Sequence, residues 1–340
     1  MAYDYKRYFD EIAVIRDLTN MPEDVKWRTA APAQDGERHR IVLYLGCNVF
    51  RTSHMIQTII AIFDRLGLDY VAVGGPTYCC GIVHHQQGDT AAAGGMADHT
   101  IKLFERYQPE EVVMWCPSCI YFYDEVRQAR LPFKVSHAAE FLLSRLPEIR
   151  FTGRANATVA LHYHNVSEPR RSEGLAGRRL LEAVPGLRVV DIEPDPRFGR
   201  SCTPSVQQQV GPEVWDQMAR EEIHRARAAG AGTLATIYHG CQRYLCVFEP
   251  EGPFAPESPF APESPFAIEH YLSVFGRGLG LEFEDKFKKY RLWQDPERVL
   301  ADTTPCQLAN NVDAARARAV VVEAFGPLPS ARGTAGSPQS

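Results

Sequence analysis

The stretch IVLYLGCN, residues 41–48, decides the fold because a run of apolar residues ends there in a glycine and a cysteine. An unbroken apolar run of this kind is typical of a strand that is covered on both faces, as in a parallel sheet. The segment at residues 53–67 places its apolar side chains at helical spacing. Cys47 therefore lies on a predicted turn between a buried strand and a helix.

The same arrangement recurs twice along the chain. Residues 69–75 predict a second strand that leads into a cysteine pair, and residues 110–115 predict a third strand that runs into a Cys-Pro-Ser-Cys turn. Residues 90–107 predict the helix between them. This order predicts an α/β fold with an open parallel sheet, which usually binds its ligands at the carboxyl ends of the strands. The thiols expected at that edge are Cys47, Cys79, Cys80, Cys116 and Cys119.

The composition is that of a globular protein long enough for two domains, with 340 residues, of which 45% are hydrophobic and 23% charged. The formal net charge is −5 and the charges are mixed along the chain, so nothing predicts binding to nucleic acid. The N-terminal segment carries acids and bases throughout, and no stretch reaches the roughly 18 apolar residues that cross a bilayer. We therefore expect no signal peptide, no membrane span and a cytoplasmic protein.

Nine cysteines in a reducing compartment favour metal binding or redox chemistry over a disulfide framework. Five thiolates in one place repel one another, and a soft metal centre such as zinc or an iron–sulfur cluster offsets that repulsion. Structural zinc and an ordinary cubane cluster each take four ligands. A fifth thiolate indicates either a larger or less regular cluster, or a thiol that is held free for chemistry.

The order of these cysteines resembles a known family. Cys47 is followed after 32 positions by the Cys-Cys-Gly triplet at 79–81, and Cys80 after 36 positions by the turn at 116–119. This pattern resembles the CCG domain of the B-type subunits of heterodisulfide reductases and their relatives. The resemblance implies that the five cysteines hold one noncubane 4Fe-4S cluster, assembled from two smaller iron–sulfur units. It also implies two tandem pseudo-symmetric CCG domains, each an open, mainly parallel sheet with flanking helices.

The chain divides accordingly. We predict an N-terminal extension at residues 1–39, a first CCG domain with the complete motif at 40–150, a second, degenerate CCG domain at 151–325 with a proline-rich hexapeptide insertion at 253–266, and a disordered tail at 326–340. Within the extension, residues 8–18 predict a helix that docks either on a partner or on its own domain. His84 and His85 either tune the cluster through hydrogen bonds or are solvated residues at the start of a helix.

The second half retains the spacing of the motif but few of its cysteines. Ser167 is the expected replacement of the leading cysteine, and Cys202 stands where the cysteine pair belongs. Tyr238, 36 positions further, and Cys241 replace the Cys-Pro-x-Cys turn. Because only two of the five cysteines remain, a second noncubane cluster is not expected.

Three interpretations of this degenerate half stay open. Cys202, Cys241, His164 and His239 form a candidate set that binds zinc or a smaller iron–sulfur unit, and His162 and Cys246 lie close to them in sequence. Alternatively, the histidines pack or form hydrogen bonds at the sheet edge. The third interpretation is a substrate pocket in which His164 or His239 donates a proton near neutral pH.

The resemblance also implies a function and partners. It implies an iron–sulfur redox subunit of a heterodisulfide-reductase-like complex, in which electron transfer is coupled to disulfide, thiol or persulfide chemistry in cytoplasmic sulfur oxidation. One complete and one eroded motif resemble the second B-type subunit of the sulfur-oxidising complexes. The implied partners are a flavin-bearing A-type subunit, a ferredoxin-like C-type subunit, a paralogous B-type subunit and a lipoate-carrying protein.

Other classes remain as alternatives. A non-catalytic relay or scaffold subunit of the same complex would keep the cluster without reacting with a disulfide. Other relatives pass electrons from a flavin-dependent 2-hydroxy-acid or glycerol-3-phosphate dehydrogenase. Those proteins often carry Cys-x-x-Cys-x-x-Cys runs, and this sequence has none. The non-redox alternative is a structural protein that binds only zinc.

Overall fold

The computed structural model of the chain describes residues 3–33, 37–127, 131–199, 202, 204–249 and 266–328. The predicted hexapeptide insertion lies outside the described residues except for Phe266, and the predicted tail lies outside them except for residues 326–328. Both therefore stay predictions. In the described part of the chain, no helix combines the length and the apolar character needed to cross a membrane.

The chain packs into two compact units, residues 1–149 with 305–313 and residues 150–304 with 314–340. Each unit is built on a sheet of four parallel strands with helices around it. The prediction of an α/β fold with two open parallel sheets is therefore confirmed.

The segment at residues 305–313 packs with the first unit, although its place in the sequence predicts that it belongs to the second domain. The side-chain amide of Asn310 donates hydrogen bonds to the backbone carbonyls of Asp17 at 2.9 Å and Asn20 at 2.8 Å. Cys306 lies in the same segment, is buried, and contacts the sulfur of Met21 at 3.8 Å.

The first sheet has the strand order β2-β1-β3-β4. Its strands are β1 (Ile41–Gly46), β2 (Tyr70–Gly74), β3 (Glu111–Met114) and β4 (Lys134–His137). Every residue of β1 is buried, as its apolar run predicts. The chain first passes from β1 to β2 on one side of β1, and then from β2 to β3 on the other side of β1. The crevice between the carboxyl ends of β1 and β3 is therefore the usual ligand site of such a sheet.

Helices connect these strands and cover the sheet. They are α1 (Tyr5–Thr19), α2 (Ser53–Arg65), α3 (Ile82–Gln86), α4 (Thr90–Glu105), α5 (Pro117–Tyr121) and α6 (Ala138–Ser144). The predicted apolar face of α2 is buried, because its apolar residues recur every three or four positions. The helices α2 and α4 agree with the sequence prediction to within a few residues.

The second sheet repeats the first with the order β6-β5-β7-β8. Its strands are β5 (Ala157–His162), β6 (Leu187–Val190), β7 (Thr233–Thr236) and β8 (Ala267–His270). The remaining helices are α7 (Glu168–Glu182), α8 (Pro204–Val210), α9 (Pro212–Ala228), α10 (His239–Leu245), α11 (Tyr271–Gly278), α12 (Lys286–Trp293), α13 (Pro296–Ala309) and α14 (Ala314–Phe325).

The strand register makes the two sheets comparable residue by residue. The ladder between β1 and β3 ends at the pair Tyr44 and Met114, and the ladder between β5 and β7 ends at His162 and Thr236. Tyr44 therefore corresponds to His162, and Gly46 corresponds to His164. Counting three residues on from this pair in each unit places Asn165 rather than Ser167 at the position of Cys47.

A histidine at the end of the fourth strand of each unit supports the same correspondence. His137 ends β4 and His270 ends β8, and each pairs with the last residue of the strand beside it. The Nδ1 atom of each accepts a hydrogen bond from a backbone N–H two residues later, at 3.1 Å and 3.4 Å, and thereby caps the next helix. Two units with the same strand order and the same capping histidine are the pattern of an internal repeat.

The N-terminal extension packs on its own domain. Ile12, Val14, Ile15 and Leu18 of α1 are buried. After α1, Arg28 forms backbone hydrogen bonds with the outer edge of β2. The extension thus protects an exposed sheet edge, and the interpretation of α1 as a helix packed on its own domain is the one that its contacts support.

Candidate metal centres

Five thiols lie at the carboxyl edge of the first sheet. Cys47 follows β1 directly, Cys79 and Cys80 lie between β2 and α3, and Cys116 and Cys119 lie at the start of α5, which follows β3. All five are buried, with exposed fractions of 8% or less. Three separate chain turns therefore deliver their sulfur atoms to one edge, away from solvent.

The five thiols interact with one another in a continuous series. Cys47 contacts Cys79, Cys79 contacts Cys80, Cys80 contacts Cys119, and Cys119 contacts Cys116. The structure thus brings together all five residues that the sequence predicts as cluster ligands. Their role as ligands stays a prediction.

These contacts give the thiols different pKa values. Cys119 and Cys79 donate hydrogen bonds to Cys80, which lowers the pKa of Cys80 to about 6. The hydrogen bond that Cys47 gives to Cys79, together with burial, raises the pKa of Cys47 well above its usual value. The pKa of Cys119 is raised in the same way by its bonds to Cys116 and Cys80 and by burial. Burial thus opposes the ionisation of Cys47 and Cys119 in the protein alone, and positive metal ions are needed to stabilise several thiolates at this edge.

Two glycines make the close approach of these sulfurs possible. Gly46 has φ of +73°, and a Cβ atom on it would lie 3.4 Å from Sγ of Cys119 and 3.5 Å from Cβ of Cys116. Gly81 has φ of +89°, and a Cβ atom on it would lie 2.4 Å from the carbonyl oxygen of Ala93 in α4. A side chain at either position would strain the backbone, and at Gly81 it would also push α4 away. The glycine of the Cys-Cys-Gly triplet thus allows the chain after Cys80 to pack closely against α4.

Buried phenols form one wall of the site. The Tyr44 hydroxyl donates a 2.6 Å hydrogen bond to the carbonyl of Tyr78 and lies 3.6 Å from Sγ of Cys119. Burial and the nearby cysteines raise the pKa of Tyr44 and of Tyr123 well above the usual value. Both phenols therefore keep their protons and face the thiols as neutral, polarisable groups.

The N-terminal helix covers the segments that carry the cysteines. Arg51, four residues after Cys47, forms an ion pair of 2.9 Å with Glu11 of α1. The ring of Tyr5 stacks on His84 at 3.7 Å, and His84 is only four residues after Cys80. The extension therefore covers one face of His84, whose side chain is 15% exposed and also lies 3.9 Å from Asp89. Beyond the amphipathic pattern of residues 8–18, no feature of the sequence predicts these contacts.

This donor set fits an iron–sulfur cluster. Five buried thiols in mutual contact, with glycines that leave room beside them, match the thiolate ligation that such clusters use. A single tetrahedral ion leaves one of these sulfurs unused.

A second group of potential ligands lies at the same edge of the second sheet. It consists of His162, His164, Cys202 and Cys241, whose ligand atoms all lie within 4.8 Å of one another and whose side chains are all buried. His162 ends β5, His164 lies two residues further, Cys202 lies in the loop between β6 and α8, and Cys241 lies in α10, which follows β7. The second unit thus also directs side chains from three turns to one point.

Hydrogen bonds fix both imidazole rings. His162 Nδ1 lies 2.8 Å from Oε1 of Glu222, and His164 Nδ1 donates to the carbonyl of Gly199 at 2.9 Å. The opposite nitrogens face sulfur: His162 Nε2 lies 3.1 Å from Cys202 Sγ, and His164 Nε2 lies 3.2 Å from Cys241 Sγ. Each ring therefore presents Nε2 to the centre of the group.

The group is strongly polarised inside an apolar and aromatic pocket. Burial lowers the pKa of His162, but Glu222 and Cys241 outweigh it and raise this pKa to about 10. Burial raises the pKa of Cys241, but the bond from Cys202 and the two histidines outweigh it and hold this pKa well below its usual value. A buried His⁺ and thiolate thus stabilise each other in the protein alone.

His239 and Cys246 do not belong to this group, although they lie close to it in sequence. His239 begins α10 and is buried, and its Nδ1 atom has no hydrogen-bond partner among the described residues. Cys246 is buried, and its sulfur donates to the carbonyl of Arg243 at 3.4 Å. Glu222, which is not among the residues that the sequence predicts, contacts the group through His162. The sequence feature that could have indicated Glu222 is an acidic residue on the buried face of α9, beside Met218 and Ile223.

Comparisons with known proteins agree with the class of domain that this edge defines. Residues 41–122 match the family model of the CCG cysteine-rich domain, and this range runs from β1 through the whole of α5 and includes all five thiols. This match supports the resemblance that the cysteine order indicates, whereas the type of subunit stays a prediction.

Two relatives are D-type subunits of the dihydromethanophenazine:CoB–CoM heterodisulfide reductase. The protein from Methanosarcina barkeri is 23% identical over 241 residues, and that from Methanosarcina mazei is 24% identical over 241 residues. Both alignments cover 67% of this chain and 56% of the relative, so the chain spans little more than half of their length.

Among solved structures, the aspartate racemase of Picrophilus torridus covers 75% of this chain and 99% of its own length, with 13% identity and a TM-score of 0.29. This likeness is too low to carry an argument about function.

Proposed function

We propose that the chain is an iron–sulfur redox subunit of a heterodisulfide-reductase-like complex. In this proposal Cys47, Cys79, Cys80, Cys116 and Cys119 hold one noncubane 4Fe-4S cluster. The observation that carries it is the unbroken series of sulfur contacts among these five residues at one buried sheet edge. The match of residues 41–122 to the CCG domain and the similarity to the D-type subunits of a heterodisulfide reductase support it.

The chain's own residues prepare this site for electron transfer. When bound, the cluster supplies one-electron transfer and an iron that binds a sulfur of the substrate. The buried wall around the thiols keeps water away, which sets the local dielectric and hence the redox potential. The Tyr44 phenol donates its O–H to the carbonyl of Tyr78 and places its oxygen 3.6 Å from Sγ of Cys119 without adding a negative charge.

The finer part of the proposal concerns the reaction and the assembly. We propose disulfide, thiol or persulfide chemistry in cytoplasmic sulfur oxidation, with the chain as the second B-type subunit. Its partners would be a flavin-bearing A-type subunit, a ferredoxin-like C-type subunit, a paralogous B-type subunit and a lipoate-carrying protein.

The first test measures iron and acid-labile sulfide on the full chain purified without oxygen. We expect about four irons and four sulfides per chain, the content of one 4Fe-4S cluster. A chain with no iron and only zinc contradicts the proposal and favours a structural protein.

The second test separates substrate chemistry from a relay role. Dihydrolipoamide is added to the oxidised protein, and the electron paramagnetic resonance spectrum is recorded. Because a thiolate that binds to a cluster iron changes its electronic structure, we expect a new or shifted signal. A spectrum that dithionite changes and dihydrolipoamide does not would contradict the sulfur chemistry and favour the relay or scaffold alternative.

A further inference from the structure

We propose that the second unit binds a single zinc ion through Nε2 of His162, Nε2 of His164, Sγ of Cys202 and Sγ of Cys241. The site is a closed, structural one. It is independent of the redox function proposed above, because it uses none of the five cysteines of the first unit.

The distances suit one tetrahedral ion. Zinc lies about 2.3 Å from sulfur and about 2.0–2.1 Å from nitrogen, which sets ligand atoms about 3.3–3.8 Å apart in a tetrahedron. The observed separations are 3.1 Å between His162 Nε2 and Cys202 Sγ and 3.2 Å between His164 Nε2 and Cys241 Sγ, and all four atoms lie within 4.8 Å of one another. Small rotations of the side chains bring these atoms to zinc-binding separations.

The hydrogen bonds select the correct nitrogen on each ring. Zinc-binding histidines usually donate their other N–H to a carboxylate or a backbone carbonyl, which fixes the tautomer and the ring orientation. Glu222 has this role for His162, and the carbonyl of Gly199 has it for His164. Each Nε2 atom therefore points to a sulfur, and it binds zinc through its lone pair once any proton on it has been released.

The compactness of the group argues against a two-iron cluster. In a cluster with two cysteines and two histidines of the Rieske type, both histidines bind one iron and both cysteines bind the other. The iron–iron distance then separates the two pairs. Here each histidine nitrogen instead lies beside a cysteine sulfur, and the pairs interleave. A single ion that takes all four ligands fits this arrangement.

The site has the features of a structural centre. All four coordination positions are filled by protein atoms, whereas a catalytic zinc keeps one position open. The rings of Phe198 and Tyr238 flank His164, with the latter stacked on it at 5.6 Å between ring centroids. Zinc would join Cys202, which lies in a loop, to the ends of two central strands, and its binding energy would add to the stability of the fold.

The test combines metal analysis with zinc X-ray absorption on the full chain purified without oxygen. We expect about one zinc per chain, with two sulfurs at about 2.3 Å and two nitrogens at about 2.0–2.1 Å. A shell of sulfur alone overturns the proposal, because it places the zinc among the five cysteines. A chain without zinc also overturns it. These readouts need no variant, so a variant that fails to fold does not affect them.

Matched variants then assign the ligands. His164→Ala and Cys202→Ser should each lose most of the zinc. His239→Ala and Cys246→Ser, which change a buried histidine and a buried cysteine outside the group, should keep it. Zinc retained in all four variants overturns the assignment, as does loss of iron instead of zinc in His164→Ala. Iron in the first unit is counted separately, so failure of the zinc site and failure of the cluster give different results.

Discussion

The two sheet edges of this chain have the same strand order and hold different chemistry. In the first unit, Gly46 lies beside Cys119 and Cys116, and five thiols share the edge. In the second unit, the corresponding position is His164, whose Nε2 lies 3.2 Å from Cys241. The histidine fills the space that the glycine leaves open.

This difference teaches that the sheet edge, and not one particular set of ligands, is what the two units have in common. Three turns converge on one point in both, because the carboxyl ends of adjacent parallel strands meet there. We expect side-chain volume to decide which centre fits. A glycine at this position leaves room for a large group, whereas a histidine reduces the space to that of a single ion.

The largest expected effect comes from removing a central thiol of the first unit. Cys80 contacts both Cys79 and Cys119, so Cys80→Ala interrupts the series of sulfurs in its middle. We expect the visible absorption of the cluster and nearly all of the iron to be lost, with zinc in the second unit retained. Absorption spectra and metal content of the anaerobic protein measure both.

Cys306→Ala is the matched control for this variant. Cys306 is also buried and packs with the first unit, where its sulfur contacts that of Met21. It should keep the full iron content. An unchanged visible spectrum in Cys80→Ala would refute the ligand assignment.

The next prediction exchanges the residue that distinguishes the two edges. In Gly46→His, the added Cβ would lie 3.4 Å from Sγ of Cys119, and the imidazole would extend further into the site. We expect loss of most of the iron, because the ring occupies the space beside the sulfurs. Iron analysis after anaerobic purification measures this loss.

Gly67→His separates this steric effect from backbone strain. Gly67 has φ of +59° and no atom within 4 Å of an added Cβ, so the variant carries the same left-handed strain of about 1–2 kcal/mol in open space. Its iron content should stay normal despite a lower melting temperature. Equal iron loss in both variants would mean that strain, and not volume, distinguishes the two edges.

Much of the fold could be predicted because its signals are local. The apolar run at 41–45 and the helical spacing of residues 53–67 determine their own secondary structure, and Gly and Pro residues mark the turns where the cysteines lie. The first group of thiols follows from this order, since parallel strands align their carboxyl ends. The contacts of α1 with this edge involve residues far apart in sequence, and no periodicity encodes them.

The second group shows where proximity in sequence misleads. His239 is a candidate by sequence because it is two residues from Cys241, but both lie in a helix, where residues two apart do not face each other. His162 and His164 are also two residues apart, but they lie at the end of a strand, where alternate residues share a side. The secondary structure around each pair therefore decides whether its two side chains can bind the same ion. A His-x-His sequence at the end of a predicted strand is the feature that could have predicted this group.

A smaller effect is expected from loosening the cover of the first edge. Glu11→Ala removes the carboxylate that pairs with the nearly buried guanidinium of Arg51 at 2.9 Å. We expect a loss of about 1–3 kcal/mol in the free energy of unfolding, since hydrogen bonds to charged groups contribute about that much. Iron should also be lost faster to a chelator, because α1 covers the segment after Cys47.

Asp17→Ala is the control on the same helix. Asp17 pairs with Arg16 of α1 itself and not with the segment that follows Cys47. Its effect should stay below about 0.5 kcal/mol, as for most half-exposed pairs. Iron loss from Glu11→Ala at the rate seen in Asp17→Ala would show that α1 does not hold the edge.

The smallest expected effect tests the second edge through its orienting carboxylate. Glu222→Gln keeps the size of the side chain but weakens the hydrogen bond to Nδ1 of His162, now 2.8 Å long. Loss of such a partner lowers zinc affinity by about 10–100-fold. Competition with a chromophoric chelator measures this change, and Glu221→Gln, which changes the adjacent acid that pairs with Arg197 near the surface, is the control. Because zinc would still have all four ligands, content at saturating metal should stay near one per chain in both variants. Equal affinities would mean that Glu222 neutralises buried charge without orienting the ring, and the second edge would then depend on its four ligands alone.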